Sequence, residues 1–206
     1  DQLDDTNQLF NKSILQLLAL TFARVGDVCS MQWADVNWLA KEWRYKPQKA
    51  GNRADMVSDM IIPLSPQAIK VLKRVKEVTG DKDHVFHNSN RRLAPYHHTQ
   101  ELNKILNSDL MNDGKSYKDI HSPHGFRSSA KTMLMERLGY DELITELALG
   151  HAMLNKYGRA YNRMEGLDQR ARMMKEWADY LDRLRAGKFD NVIYPDFRQK
   201  EQVQNG

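Results

Sequence analysis

His124 and Arg127 stand three residues apart in "SPHGFRSSAKT", just after a Ser-Pro pair that marks the start of a helix. That spacing puts both side chains on one face of a first helical turn, where unpaired backbone N–H groups and the helix dipole favour an anion. Arg24, in "ARVGDVCSMQWADV", falls at a corner between two predicted helices, with Asp27 three residues on and able to hold its guanidinium. Arginine presents a planar fork matched to two phosphate oxygens, so two arginines from distant segments can clamp the non-bridging oxygens of one phosphodiester. Such a clamp is an electrostatic substitute for a metal ion. An isolated H-x-x-R is common as a capping histidine beside a surface arginine, so the weight falls on its combination with Arg24 and with a nucleophile further along the chain.

A phosphodiester held this way needs a nucleophile and a proton for the leaving group. Tyr161 follows His151 by ten residues and lies between Arg159 and Arg163. A phenol with an unperturbed pKa of about 10 attacks as phenolate, which a nearby histidine and two phosphate-clamping arginines favour. Tyr157, six residues beyond His151, is the alternative nucleophile, and ordinary half-buried packing is the bland reading of either tyrosine. The departing sugar alkoxide is a poor leaving group unless protonated, and a lysine on a hairpin can deliver that proton. Lys49, at the turn in "YKPQKAGNRADMVSDMIIPL", is the candidate and Lys46 the alternative. His121, His124 and His151 make a poor zinc set, because H-x-x-H without a convincing fourth partner matches neither a structural nor a catalytic site. The expectation is no metal and no cofactor.

The elements that must position these groups read as mostly helical. Leu9, Phe10, Ile14, Leu17, Leu18 and Leu20 recur at helical spacing, and a second short helix begins near Gly26. "WLAKEWRYKP" and "MVSDMIIPL", with turn chemistry in "QKAGNR" between them, predict a small antiparallel sheet. Ser65-Pro66 and Ser122-Pro123 each supply an N-cap and a first-turn proline, Asp141 caps "ELITELAL", and Gly80, Gly139 and Gly150 mark helix ends. "HVFHN" reads as a short strand, "HHTQELNKILNSDLM" as a helix, and "FDNVIYPDF" as a tail strand. "LDQRARMMKEWADYLDRLR" is a long amphipathic helix with Leu167, Met174, Trp177, Ala178, Leu181 and Leu184 toward one side. Leu134, Leu138, Leu143, Leu147 and Leu149 belong to the core.

The chain of 206 residues fits one domain, with no linker, repeat or low-complexity tract to divide it. One cysteine excludes an internal disulfide, and the composition suits a reducing cytoplasm. The longest apolar run falls far short of the ~20 residues of a membrane span, so no membrane association is expected. The net charge of +4 sets 31 basic against 27 acidic residues and points only weakly to a polyanionic partner. Lys46, Arg53, Arg91, Arg92, Arg159 and Arg163 are the candidate contacts to such a partner, while Lys70 to Lys76 reads as a solvated helix face.

"ARVGDVCSMQWADV", the hairpin lysine, "SPHGFRSSAKT", "LALGH" and a following tyrosine, in that order, resemble the tyrosine recombinase (phage integrase) family over nearly the whole chain. "RAYNR" followed by "QRARMMKEWADYL" is similar to integrases of temperate phages and genomic islands. The resemblance implies an α+β catalytic domain, mainly α with a small antiparallel sheet. It makes Arg24 and Arg127 the paired clamp, Lys49 the general acid, His124 and His151 flanking proton-transfer and hydrogen-bonding groups, Tyr161 the nucleophile and Asp27 a supporting acid. It further implies DNA integration or excision for a mobile element such as a prophage, through a 3′-phosphotyrosine intermediate. Double-stranded DNA would be the partner, with four protomers on two paired sites and accessory directionality or DNA-bending proteins. The chain would be a C-terminal fragment of a longer integrase acting at the bacterial nucleoid, its 186–206 tail docking on a neighbouring protomer. The His151 to Tyr161 interval is one residue longer than the commonest family spacing, which keeps Tyr157 open. A type IB topoisomerase-like nicking and resealing enzyme, or a DNA-binding module without activity, are the rival readings.

Overall fold

A computed structural model describes residues 2–47, 59–90, 94–97, 99–108, 116–151 and 166–188. Helix α1 (Gln2–Thr21) is followed after a corner by the short α2 (Val25–Cys29). The strands β1 (Val36–Asn37), β2 (Glu42–Tyr45) and β3 (Met60–Pro63) come next, then α3 (Pro66–Thr79), α4 (Thr99–Leu106), α5 (Gly125–Glu136), α6 (Glu142–Ala148) and α7 (Leu167–Arg185). The architecture is therefore mainly α with a small antiparallel sheet, as the patterning predicts, and the sheet has three strands in the order β1-β2-β3, β1 lying ahead of the two predicted segments.

Helix α1 is the hub. Phe10, Ile14, Leu17 and Leu18 are all buried, and α1 packs against α2, α3, α4, α5 and α7. It ends where the Thr21 hydroxyl turns back onto the Leu17 carbonyl at 2.6 Å and Phe22 enters the left-handed region at φ 53°. A bulky residue there costs about 1–2 kcal/mol. Full burial of the Phe22 ring, edge-on to Trp177 at 5.7 Å, offsets that strain.

The remaining elements are fastened to this hub by caps and long-range bonds. Ser65 caps α3 through the Ala68 N–H, and Asp141 caps α6 through the Leu143 N–H at 2.8 Å. In the sheet, Trp43 stands opposite Val36 and Ile62, and its ring stacks on Tyr45 with centroids 4.0 Å apart. Helix α7 buries Met173, Met174, Trp177 and Ala178, with Leu181 and Leu184 packed at the edge of the core. Its Trp177 Nε1 donates to the Ala19 carbonyl at 2.7 Å. Arg170, also on the buried side of α7, donates at 3.0 Å to the Ile61 carbonyl of β3, the edge strand among the described residues.

Three local readings are corrected. "HVFHN" makes only single antiparallel bridges, Gln32 with His84 and His87 with Tyr96, since too few consecutive residues find a partner for a ladder. Helix α4 stops at Leu106, short of the predicted helix. Helix α5 begins at Gly125 rather than at Pro123, because residues 123–124 form a turn, across which Ser122 Oγ accepts the Gly125 N–H at 3.2 Å, so His124 rather than Ser122 takes the N-cap position. Of the five predicted core leucines, Leu134, Leu147 and Leu149 are buried, Leu138 packs at the core's edge and Leu143 is half-buried. The tail strand lies outside the described residues.

Candidate active site

Arg127 projects from the first turn of α5 and is 7% exposed. Its Nη1 donates to the Phe22 carbonyl and its Nη2 to the Leu149 carbonyl at 2.6 Å. Each acceptor lies two residues before another predicted site residue, Phe22 before Arg24 and Leu149 before His151. The left-handed turn at Phe22 thus ends α1 and provides a carbonyl that receives the guanidinium. One buried arginine consequently ties together the α1–α2 corner, the start of α5 and the end of α6, which are far apart in sequence.

Arg24 occupies the N-cap position of α2, half-buried, with Nη1 4.0 Å from the Asp27 carboxylate. Burial, and next the nearby Arg24 charge, hold Arg127 below the usual arginine range. Two guanidinium groups that feel each other in a partly desolvated corner make a site that an anion relieves. His124 takes the N-cap position of α5 and makes no side-chain capping bond, so its ring is not spent on the helix terminus. A cavity of about 630 Å³ opens over this corner, lined by Arg24 and Asp27, by Ser122, Pro123 and His124, and by Thr99 and Asn103 of α4. Ser122, Pro123 and His124, which line this cavity, immediately precede α5.

His151 follows the αL glycine that ends α6. Gly150 has φ 69°, its N–H bonds to the Leu147 carbonyl at 3.1 Å, and the His151 N–H bonds to the Glu146 carbonyl at 3.0 Å. These two bonds are a Schellman motif, which folds the residue after the glycine back over the last turn. The His151 ring then has Nε2 3.4 Å from Arg127 Nη2 and Nδ1 in a short hydrogen bond with Glu146.

Two side chains that the sequence motifs do not flag also enter the site. Glu146 is buried and pairs with Lys131 as well as with His151. The spacing E-x-x-x-G-H is the signal that could have found it, since a Schellman end brings those two positions together. Tyr45, at the end of β2, hydrogen-bonds Asp27 through its hydroxyl. Burial, and then the Asp27 charge, push the Tyr45 phenol well above the ordinary tyrosine range. Although it feels both Arg24 and Arg127, Tyr45 is held protonated and acts as a brace for Asp27, the opposite of an activated nucleophile.

Lys46 follows β2 and lines a smaller cavity of about 230 Å³ together with Asp27 and Tyr45. Lys49, Tyr157, Tyr161, Arg53, Arg91, Arg92, Arg159 and Arg163 lie outside the described residues. The structure therefore brings together Arg24, Asp27, Arg127 and His151, with His124 lining the same cavity as Arg24, and Lys46 lining the second cavity with Asp27.

Residues 1–166 match the model of the phage integrase family. The chain belongs to the phage integrase family. Curated integrases similar to it include the prophage integrase IntA of Escherichia coli K12, 31% identical over 165 residues, covering 79% of this chain and 36% of that protein. The integrase of Enterobacteria phage P4 is 28% identical over 187 residues, covering 85% and 41%. The chain thus spans well under half the length of these two integrases. Among solved structures, an integrase from mycobacterium phage Brujita superposes with a TM-score of 0.60 at 15% identity, covering 82% of this chain and 52% of that one. The XerA recombinase superposes with a TM-score of 0.51 at 22% identity, covering 75% and 58%. At these identities the likeness is one of fold.

Proposed function

We propose that this integrase-family chain carries the strand-transfer chemistry of a site-specific DNA recombinase that integrates or excises a mobile element. The observation that carries the reading is the bridge from Arg127 to the carbonyls of Phe22 and Leu149, which sets Arg24, Arg127 and His151 around one corner. In the proposed reaction the two arginines hold the non-bridging oxygens of a phosphodiester, and the Tyr161 oxygen attacks phosphorus. The phosphorus–O5′ bond breaks, a 3′-phosphotyrosine ester forms, and Lys49, or Lys46, protonates the leaving 5′ oxygen. The tyrosine proton passes to His124 or to solvent, and attack by a partner strand's 5′-hydroxyl reverses each step. Bond energy is kept in the ester, so no nucleotide cofactor enters.

Double-stranded DNA is the proposed partner, and support comes from a Tn1549 transposon integrase of similar fold solved in complex with a circular intermediate DNA, superposing with a TM-score of 0.50. A tetramer on paired sites, accessory directionality proteins and a cytoplasmic location are part of the same proposal. Among the described residues no helix is long and apolar enough to cross a membrane.

The test is a nicked suicide substrate carrying the attachment site, which traps the covalent intermediate. A protein–DNA adduct mapped to the peptide containing Tyr161, and absent in Tyr161→Phe, is the expected result. An adduct that persists in Tyr161→Phe but disappears in Tyr157→Phe transfers the nucleophile to Tyr157, and no adduct at all leaves a DNA-binding module.

A further inference from the structure

We propose that Glu146 is a positioning residue for His151: its carboxylate keeps a proton on Nδ1 and sets the ring so that Nε2 faces Arg127 and the phosphate Arg127 holds. The inference rests on the recombinase reading. In a Schellman motif the residue after the αL glycine meets the residue five positions earlier, usually through an apolar contact. Here the same backbone geometry carries a carboxylate and an imidazole, joined at Oε2 and Nδ1. The other carboxylate oxygen, Oε1, pairs with Lys131 Nζ, and Lys131 also lies 3.9 Å from Glu142.

The proton assignment follows from the chemistry of the pair. Burial pushes the Glu146 carboxyl up, but the hydrogen bonds from Lys131 and His151 outweigh it and hold the group below the usual carboxylate range. An ionised carboxylate only accepts hydrogen bonds, so Nδ1 must donate. Nε2 is then the ring nitrogen that carries a lone pair and can accept a proton. It sits 3.4 Å from Arg127 Nη2, whose guanidinium is itself pinned through the Leu149 carbonyl, so the imidazole and the arginine are referenced to the same turn. Without Glu146 the half-exposed ring could rotate about its side-chain torsions or move its proton to Nε2, and the aim toward the phosphate would be lost.

Glu146→Gln tests this with almost no change in shape. A glutamine oxygen can accept from Lys131 or from His151, while its amide donates where the carboxylate accepted. Nitrogen NMR of histidine-labelled protein without DNA should show His151 with its proton on Nδ1 in the wild type and a mixed or reversed tautomer in Glu146→Gln. Adduct formation on the suicide substrate should slow about tenfold or more, the scale of a misplaced proton-transfer group. In a His151→Ala background the same substitution should change the rate by less than about twofold, because its effect runs through the imidazole. Lys131→Met, which leaves the His151 pair intact, should keep the wild-type tautomer.

A wild-type ring protonated on Nε2 with Nδ1 bare overturns the proposal. So does an equal rate loss from Glu146→Gln with and without His151, which would mark a purely structural role. If the wild type forms no adduct, the recombinase reading falls, whereas the tautomer measurement, made without DNA, still decides whether Glu146 holds the ring.

Discussion

The Arg127 guanidinium donates to the carbonyl of Phe22, the residue that closes α1 with a left-handed backbone. A strained turn and a buried cation therefore support each other. The turn presents an acceptor, and the guanidinium occupies a carbonyl that a helix end would otherwise leave unpaired. Arg24 then emerges two residues later beside the same charge.

This arrangement separates two arginines that share one proposed chemical role. Arg127→Ala removes a buried fork and leaves the carbonyls of Phe22 and Leu149 without it, so thermal unfolding should show a loss of about 1–3 kcal/mol. Arg24→Ala removes a half-exposed side chain whose ion pair spans 4.0 Å, and should stay within about 0.5 kcal/mol of wild type. Both substitutions should abolish the covalent adduct. A stable, adduct-forming Arg127→Ala would sink the clamp.

Much of this scaffold is legible in the sequence because it rests on local rules. Ser65 and Asp141 each cap a helix within three residues of themselves, and the Arg24–Asp27 and His124–Arg127 spacings are read without knowing the fold. What escaped depends on tertiary partners. Arg170 looks like one more basic residue on the polar side of α7, yet it is fully buried, where its guanidinium donates to the Ile61 carbonyl of β3. Tyr45 reads as strand packing, and only the approach of β2 to α2 turns its hydroxyl onto Asp27. Glu146 is intermediate, since its position follows from the Gly150 turn while its role follows from Arg127 lying opposite.

Tyr45 should leave a signature at alkaline pH. Its folded phenol titrates above the unfolded value of about 10, so the neutral brace on Asp27 contributes fully below pH 10 and is lost as pH rises beyond it. Tyr45→Phe should cost about 1 kcal/mol at neutral pH through the lost hydrogen bond, and the gap to wild type should narrow above about pH 10. Adduct formation should slow but persist, because Tyr45 is a brace. A gap that widens with pH would contradict this account.

Cys29 offers a probe of opening in α2. The only cysteine in the chain is buried, and burial pushes its thiol up to about 12. A thiol in that state is neither accessible nor ionised at neutral pH, so native protein should resist alkylation by iodoacetamide and react fully once unfolded. The measured rate should follow denaturant in step with global unfolding. Fast labelling without denaturant would mean that the α1–α2 corner opens by itself.

The charge of the chain overstates the charge available to DNA, and salt dependence distinguishes the two. Arg170 counts toward the net +4, yet it is fully buried against β3 and cannot meet a phosphate. Arg24 lines the open cavity. Each phosphate neutralised contributes a slope of about −0.9 in log K against log salt on duplex DNA. Binding of an attachment-site duplex should therefore weaken steeply with salt, and Arg24→Gln should reduce the slope by about 1. Arg170→Met, with a similar apolar stem and no contact to solvent, should leave the slope of the folded protein unchanged. Equal slopes in wild type and Arg24→Gln would remove Arg24 from the phosphate, and a smaller slope in Arg170→Met would mean that α7 lifts from β3 when DNA binds.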